Sequence, residues 1–280
     1  HIQYVYACRG CEQENMKTTF VDAEAPKAVL PKSVASASLL ASIINDKYNK
    51  SLPLYRQEVS YQEKGLNLSR QTMANWMIKL YDEYFKTFLD YMHQCLLKMD
   101  YICADETKVQ VLKEAGKSAS SQSYMWVYKS GRSEAKQLVI YHYEPSRAHQ
   151  HAIDFLDGFK GILQSDGYQA YSKIECEKHM GCWAHARRKF HDALAVIPKE
   201  ADATTTQSYL FFEMINQLFQ LEKEMKTNDR DTIYQQRQEK AKPIVEAYFK
   251  EVEKLLSYTV GKTPLQVALT YSHNQKDHLM

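Results

Sequence analysis

Two aspartates sit in the same local grammar. In Tyr101-Ile102-Cys103-Ala104-Asp105-Glu106-Thr107 a mostly apolar run meets an acidic pair. In Gly161-Ile162-Leu163-Gln164-Ser165-Asp166-Gly167-Tyr168 a second short apolar run meets an Asp followed by Gly. Each reads as a buried strand that delivers a carboxylate at its end, with Gly167 freeing the backbone to turn. Carboxylate oxygens are ligands that Mg²⁺ and Mn²⁺ take, and rigid strand ends hold them close, so a pair of this kind suits two-metal phosphoryl transfer. One such Asp alone reads equally well as a cap or turn residue; two in register carry the argument. Glu106 follows Asp105 directly, so on a strand it projects from the opposite face and stands behind the site rather than in it.

Other residues carry chemistry by type. Cys8-Arg9-Gly10-Cys11 is a CxxC knuckle. A tetrahedral zinc site needs four ligands and no second CxxC lies nearby, so Cys8 and Cys11 are either half of a zinc site or unpaired thiols. His185, Arg187, Arg188 and Lys189 form a basic run that either neutralises phosphates or is a solvated turn of helix. Arg70, Gln71, Asn75 and Lys79 fall on one face of an expected helix, where they reach bases or phosphates or simply face solvent. Glu222, at the end of Leu218-Phe219-Gln220-Leu221, is a candidate third acid or an exposed flank of its helix.

These residues need a globular frame, and the composition provides one. Of 280 residues, 44% are hydrophobic and 25% charged, which suits one large or two ordinary folded domains and excludes a disordered chain. The longest apolar runs fall short of the roughly 18 residues that a spanning helix needs, so no membrane partner is expected. His1-Ile2-Gln3-Tyr4 lacks the layout of a signal peptide. Six cysteines are too few for a disulfide scaffold of this length, which favours a reducing, cytoplasmic setting. The net charge of +2 places any nucleic-acid surface in a local patch.

The chain then divides by periodicity. Residues 1–32 read as irregular, closing in an extended linker from Ala25-Pro26-Lys27 to Leu30-Pro31-Lys32. Residues 33–99 are helical: one helix capped at Ser36 or Ser38, a second started by Leu52-Pro53 and stopped at Lys64-Gly65, and a third capped by Ser69. The third carries Met73, Trp76, Met77, Leu80, Tyr84 and Phe88 inward. Helix, Gly turn and a helix opening Ser-Arg-Gln-Thr is the layout of a helix-turn-helix, or of a plain helical hairpin.

Residues 100–192 change to period two. Strands are expected ending at Asp105, at Tyr124–Tyr128, Gln137–Tyr141, Gly161–Ser165 and His179–Ala184. A turn lies at Ser130-Gly131-Arg132-Ser133, a helix at His149–Phe159 and a short helix at Tyr168–Ile174. Three strands in meander, a crossover helix and two further strands is the order of a ribonuclease H-like α/β fold with a five-stranded mixed sheet. Asp105 and Asp166 fall on its first and fourth strands. Residues 193–280 read as an all-helical insertion, with helices at His191–Val196, Tyr209–Met225, Ile233–Tyr258 and Thr263–His273 and a loop at Pro198–Thr206.

Several runs together resemble transposases of the insertion sequence 66 family: Leu30-Pro31-Lys32-Ser33, Leu52-Pro53-Leu54-Tyr55-Arg56-Gln57-Glu58, Ala104-Asp105-Glu106-Thr107, Ser165-Asp166-Gly167-Tyr168 with Ala170-Tyr171, and Cys182-Trp183-Ala184-His185-Ala186-Arg187-Arg188-Lys189-Phe190. The last is the most specific. The resemblance implies a DDE enzyme that cuts and joins DNA at insertion-sequence ends with Mg²⁺ or Mn²⁺. It implies a homo-oligomer when two ends are brought together, and work on the bacterial nucleoid. It makes Cys8 and Cys11 the later half of a Zn²⁺-binding element. It also implies a catalytic Glu within an Asp-Asn-Asn and Ala-Glu-Arg motif that this sequence does not contain, so the chain reads as lacking its last catalytic segment. Two other readings are a DNA-binding protein that does not cut and a cellular nuclease or junction resolvase of the same fold.

Overall fold

A computed structural model describes residues 4–13, 20–22, 28–132, 134–198, 200–225, 229–259 and 261–280. The linker expected at Ala25–Lys27, Ser133 of the expected turn and Lys199 of the expected loop lie outside them. The chain forms two compact units, His1–Asp90 and Tyr91–Met280.

In the first unit, the region expected to be irregular contains a small hairpin. β1 (Val5–Ala7) pairs antiparallel with β2 (Phe20–Asp22), and α1 (Arg9–Gln13) lies between them. Three helices follow: α2 (Ala37–Ile44), α3 (Leu54–Glu63) and α4 (Arg70–Leu80). Ser36 and Ser69 cap α2 and α4 by accepting the backbone N–H of Leu39 and Thr72, satisfying donors that a helix start leaves open. Gly65 turns the chain between α3 and α4 at φ 80°, a conformation that disfavours any side chain. Leu30, Leu40, Ile43, Leu68, Met73, Trp76 and Leu80 form the core. The buried Gln57 amide donates to the carbonyls of Ile43 and Leu52, tying α3 to the end of α2.

The third helix departs from expectation after Leu80. Tyr84 and Phe88 are exposed, not inward. A π-helical turn at Tyr81–Phe85 inserts between α4 and α5 (Lys86–Leu97). Its wider winding rotates the phase of the apolar stripe away from the core.

In the second unit, β3 (Tyr101–Gln110), β4 (Gln122–Ser130) and β5 (Val139–Glu144) form an antiparallel meander. After α6 (His149–Phe155), β6 (Ile162–Ser165) and β7 (Lys178–Gly181) add in parallel to the other edge of β3, in the order β5-β4-β3-β6-β7. The expected α/β class and the five-stranded mixed sheet are therefore present. Ile102 and Ala104 point into the core, and the stacked rings of Tyr128 and Phe155, 3.8 Å apart, join β4 to α6.

Two boundaries differ from the sequence reading. β3 does not end at Asp105 but runs on to Gln110, paired with β4 throughout. Its other neighbour, β6, pairs only with Tyr101–Cys103, so Asp105 stands where the parallel side of β3 becomes open. The last strand stops at Gly181, and Trp183 and Ala184 begin α7 (Trp183–Ala195). Trp183, Ala186, Phe190 and Ala193 recur at helical spacing, and burying that stripe outweighs strand pairing here.

Beyond α7 come α8 (Gln207–Glu224), α9 (Arg230–Gln236), α10 (Lys242–Leu256), α11 (Pro264–Asn274) and the short α12 (Lys276–Leu279). The single helix expected at Ile233–Tyr258 is thus α9 and α10 joined by a π-helical turn at Arg237–Ala241. These helices close over α7: Ala186, Phe190, Phe211, Ile215, Tyr248, Phe249, Val252, Ala268 and Leu269 form one core cluster. Each fully buried side chain of this size stabilises the fold by roughly 1.5–3 kcal/mol. Phe190 of α7 stacks on Phe211 of α8 at 4.9 Å.

The start of β6 admits no side chain. A Cβ on Gly161 would stand 2.4 Å from the carbonyl oxygen of Asp100, the same oxygen that accepts the Ile162 N–H at 2.7 Å. Backbone cannot yield there without moving the start of β3. Gly161→Ala should therefore cost about 1–3 kcal/mol, read as a lower urea midpoint with unchanged slope.

Candidate functional site

Asp105, Asp166 and His185 converge. One potential ligand atom from each lies within 4.8 Å of the others, and among the described residues this is the set of three or more His, Cys, Asp or Glu that meets that condition. Asp105 comes from β3 where its parallel partner has ended, Asp166 from the residue after β6, and His185 from the first turn of α7. The fork between β3 and β6 opens at their carboxyl ends, so the sheet delivers both acids to one edge. Each carboxylate is aimed by a local backbone donor. Asp105 Oδ1 accepts the Glu106 N–H, and Asp166 Oδ1 accepts the Tyr168 N–H, both at 2.9 Å. Asp105 Oδ2 lies 3.7 Å from His185 Nε2. The Asp105 side chain is 54% exposed, so a ligand can approach it from solvent.

His185 has a second neighbour, the Cys182 thiol at the N-cap of α7. Burial alone would push that thiol up, but its pairing with His185 holds it below the usual range, and Cys182 together with Asp105 and Asp166 raises His185.

Behind the site, Glu106 points the other way, as alternation requires. Its side chain is 2% exposed. Burial raises its carboxyl, while hydrogen bonds from Tyr171 and Arg147 pull it back down. Tyr171 donates to Oε2 at 2.7 Å; Arg147 donates to Oε1 from Nε at 2.8 Å and from a terminal nitrogen. Arg147 also lies 3.8 Å from the Tyr168 ring centroid, and the Tyr168 hydroxyl donates to the Arg147 carbonyl. One buried carboxylate thus latches the loop that carries Asp166. Tyr171 was visible in the sequence only as part of a family run, and Arg147 not at all, since its partner is 41 residues away.

Gly167 is explained by approach rather than by turning. A Cβ there would stand 2.8 Å from Gln275 Nε2 and 3.2 Å from Tyr271 Cε2, so the end of α11 lies directly on the loop after Asp166. The Tyr271 hydroxyl is pushed up to about 12, by burial first and then by the charge of Asp166.

The remaining expected site residues are dispersed. Arg188 is exposed on α7. Lys189 places its ammonium 5.8 Å from the Tyr271 ring centroid. Arg187 is committed to α8, donating to Asn216 at 2.6 Å and packing over Phe212. Glu222 does not join the aspartates: on α8, it accepts both Nε and Nη2 of Arg237, at 2.7 and 2.9 Å. On α4, Arg70, Gln71, Asn75 and Lys79 are all exposed, with Gln71 donating to Asn75 at 3.0 Å. Cys8 is exposed just before α1, its thiol held low by the backbone N–H groups of Cys11 and Gly10.

If Glu106 latches the Asp166 loop, Tyr171→Phe leaves a buried carboxylate short of a donor. The expected loss is about 1–3 kcal/mol of stability, measured by urea unfolding, together with faster backbone hydrogen exchange at 166–171. Unchanged exchange there would remove the latch.

The family model described as Transposase IS66 family matches residues 32–280. An uncharacterized protein of Sinorhizobium fredii, y4qI, is 32% identical over 98% of this chain and 51% of its own length. A second from the same organism, y4jD, is 26% identical over 86% of this chain and 47% of its own. The chain spans about half the length of the curated relatives it matches. With the match covering most of its length, the chain belongs to the IS66 family of transposases.

Proposed function

We propose that this chain carries the cation-binding core of a DNA transposase acting by metal-dependent strand cleavage and strand transfer at insertion-sequence ends. The observation that carries the reading is the convergence of Asp105, Asp166 and His185 at the open fork of the sheet. The donor set fits a divalent cation: two carboxylates suit Mg²⁺ or Mn²⁺, and the imidazole adds a nitrogen ligand of the kind transition-metal ions accept. His185 Nε2, which faces Asp105, and the solvent-facing Asp105 carboxylate leave ligand capacity unspent within the protein. A cation held there by Asp105, Asp166 and His185 would supply Lewis-acid activation of a water or 3′-hydroxyl and charge stabilisation for the leaving oxygen. The protein's own share is to aim the two carboxylates through the N–H groups of Glu106 and Tyr168, to hold the Asp166 loop through Glu106, and to set Arg188 and Lys189 near incoming phosphates.

Other parts of the reading follow the same residues. The meander followed by two parallel strands supports a ribonuclease H-like core over 100–192, with 193–280 as its helical insertion. The Ser69-capped α4, with Arg70, Gln71, Asn75 and Lys79 outward, supports a helix-turn-helix over 33–99 that contacts DNA. The lowered Cys8 thiol supports a zinc half-site with Cys11 over 1–32, since the thiolate is the form that binds metal. Synapsis of two DNA ends calls for at least two copies.

A second reading is a chain that binds DNA without cutting it. It is favoured by the commitment of Glu222 to Arg237, which leaves the converging set with two carboxylates and an imidazole.

Calorimetric titration with Mn²⁺ separates these. Asp105→Asn and Asp166→Asn should each abolish binding, and His185→Ala should weaken it about tenfold or more, roughly 1.4 kcal/mol. Binding indifferent to either Asn substitution would refute the cation site. For the DNA face, Lys79→Ala should lower the salt slope of duplex binding by about one; an unchanged slope would place that face in solvent.

A further inference from the structure

We propose that Tyr271 is a substrate-contacting residue whose hydroxyl donates to a non-bridging oxygen of a phosphodiester held at the Asp105–Asp166 site. The inference rests on the reading of that site as a cation centre and adds a residue from the C-terminal helices to it.

The direction of the side chain is fixed by its neighbours. Ser272 is fully buried, bonded to the Tyr248 hydroxyl at 2.6 Å and to the Ala268 carbonyl at 2.9 Å, which pins the rotation of α11. Tyr271, one residue earlier, is thereby turned onto the loop after Asp166. Its Cε2, the ring carbon beside the one that bears the hydroxyl, reaches within 3.2 Å of where a Gly167 Cβ would stand.

The hydroxyl itself is buried beside the Gly167 backbone N–H, and its own proton meets no acceptor. An unpaired buried donor is costly and calls for an account. The other tyrosines near α11 and the Asp166 loop are bonded: Tyr171 to Glu106, Tyr248 to Ser272 and Tyr168 to the Arg147 carbonyl. The Tyr128 hydroxyl is also unpaired, but that residue is sealed in the sheet core, whereas Tyr271 is partly exposed and its covered hydroxyl lies against the loop after Asp166, which a bound phosphodiester would have to displace. Lys189 sets a positive charge 5.8 Å from the Tyr271 ring centroid, which favours an anionic acceptor. A phosphodiester drawn to a cation at Asp105 and Asp166 would bring such an acceptor to a donor that has none.

The test uses the full chain and Tyr271→Phe, which keeps the ring and removes one oxygen. Three quantities are compared: the melting temperature without ligand, Mn²⁺ affinity by calorimetry, and the affinity of a dinucleotide with one phosphodiester at saturating Mn²⁺. The expected result is an equal or higher melting temperature, Mn²⁺ affinity within about twofold, and dinucleotide affinity reduced about tenfold or more, the scale of one hydrogen bond to a charged group. Undiminished dinucleotide affinity overturns the proposal. A clear fall in melting temperature also overturns it, because the hydroxyl would then be bonded within the protein. Weaker Mn²⁺ binding in step with the dinucleotide would make Tyr271 a support for Asp166, not a contact. Absence of Mn²⁺ binding by the parent protein is a separate outcome: it removes the cation reading first and this proposal with it.

Discussion

The placement of Asp166 beside Asp105 depends on a buried carboxylate outside the converging set. Glu106 stands back to back with Asp105 on β3, and its burial would be unfavourable without donors. Tyr171 and Arg147 supply them, and both are joined to Tyr168, one by ring contact and one by stacking and a hydrogen bond. Satisfying one buried charge therefore fixes the segment from Asp166 to Tyr171 against β3. Asp105 and Glu106 divide the labour by strand alternation: the exposed acid faces solvent beside Asp166 and His185, and the buried one holds the Asp166 loop in place.

Sheet topology does the rest of the positioning. Two carboxylates 61 positions apart in sequence meet because β3 is the central strand and β6 leaves it after three residue pairs. A longer β6 would pair across Asp105 and close the fork. The early end of β6 at Ser165 is thus as much a part of the site as the acids themselves.

The helices after the sheet act as a second wall. Phe190, Phe211, Tyr248 and Phe249 pack around α7, so the helix that presents His185 at its start is anchored along its length. The same cluster holds α11, whose end touches Gly167. A helical region that reads in the sequence as an insertion beside the core is, in the fold, what anchors the helix of His185 and lines the loop of Asp166.

Much of this is legible in the sequence. Period-two runs marked the strands, Ser36 and Ser69 marked helix starts, and the pairing of Asp105 with Asp166 followed from two runs of the same form. The orientation of Glu106 followed from alternation alone. What escaped has a common cause. The π-helical turns at Tyr81–Phe85 and Arg237–Ala241 keep a helical composition while shifting its phase, so periodicity misplaced Tyr84 and Phe88. The end of β7 was misread because Trp183 and Ala184 suit either state locally, and only burial against α8 and α10 decides for helix. Arg147, Tyr171 and Tyr271 reach the surroundings of Asp166 only through contacts between distant segments. The sequence by itself singled out Asp105 and Asp166 as a carboxylate pair and placed the strands that carry them. Tertiary structure alone decided that His185 joins the two aspartates while Glu222 turns to Arg237, because side-chain partnership is set by packing across the chain and leaves no periodic trace within it.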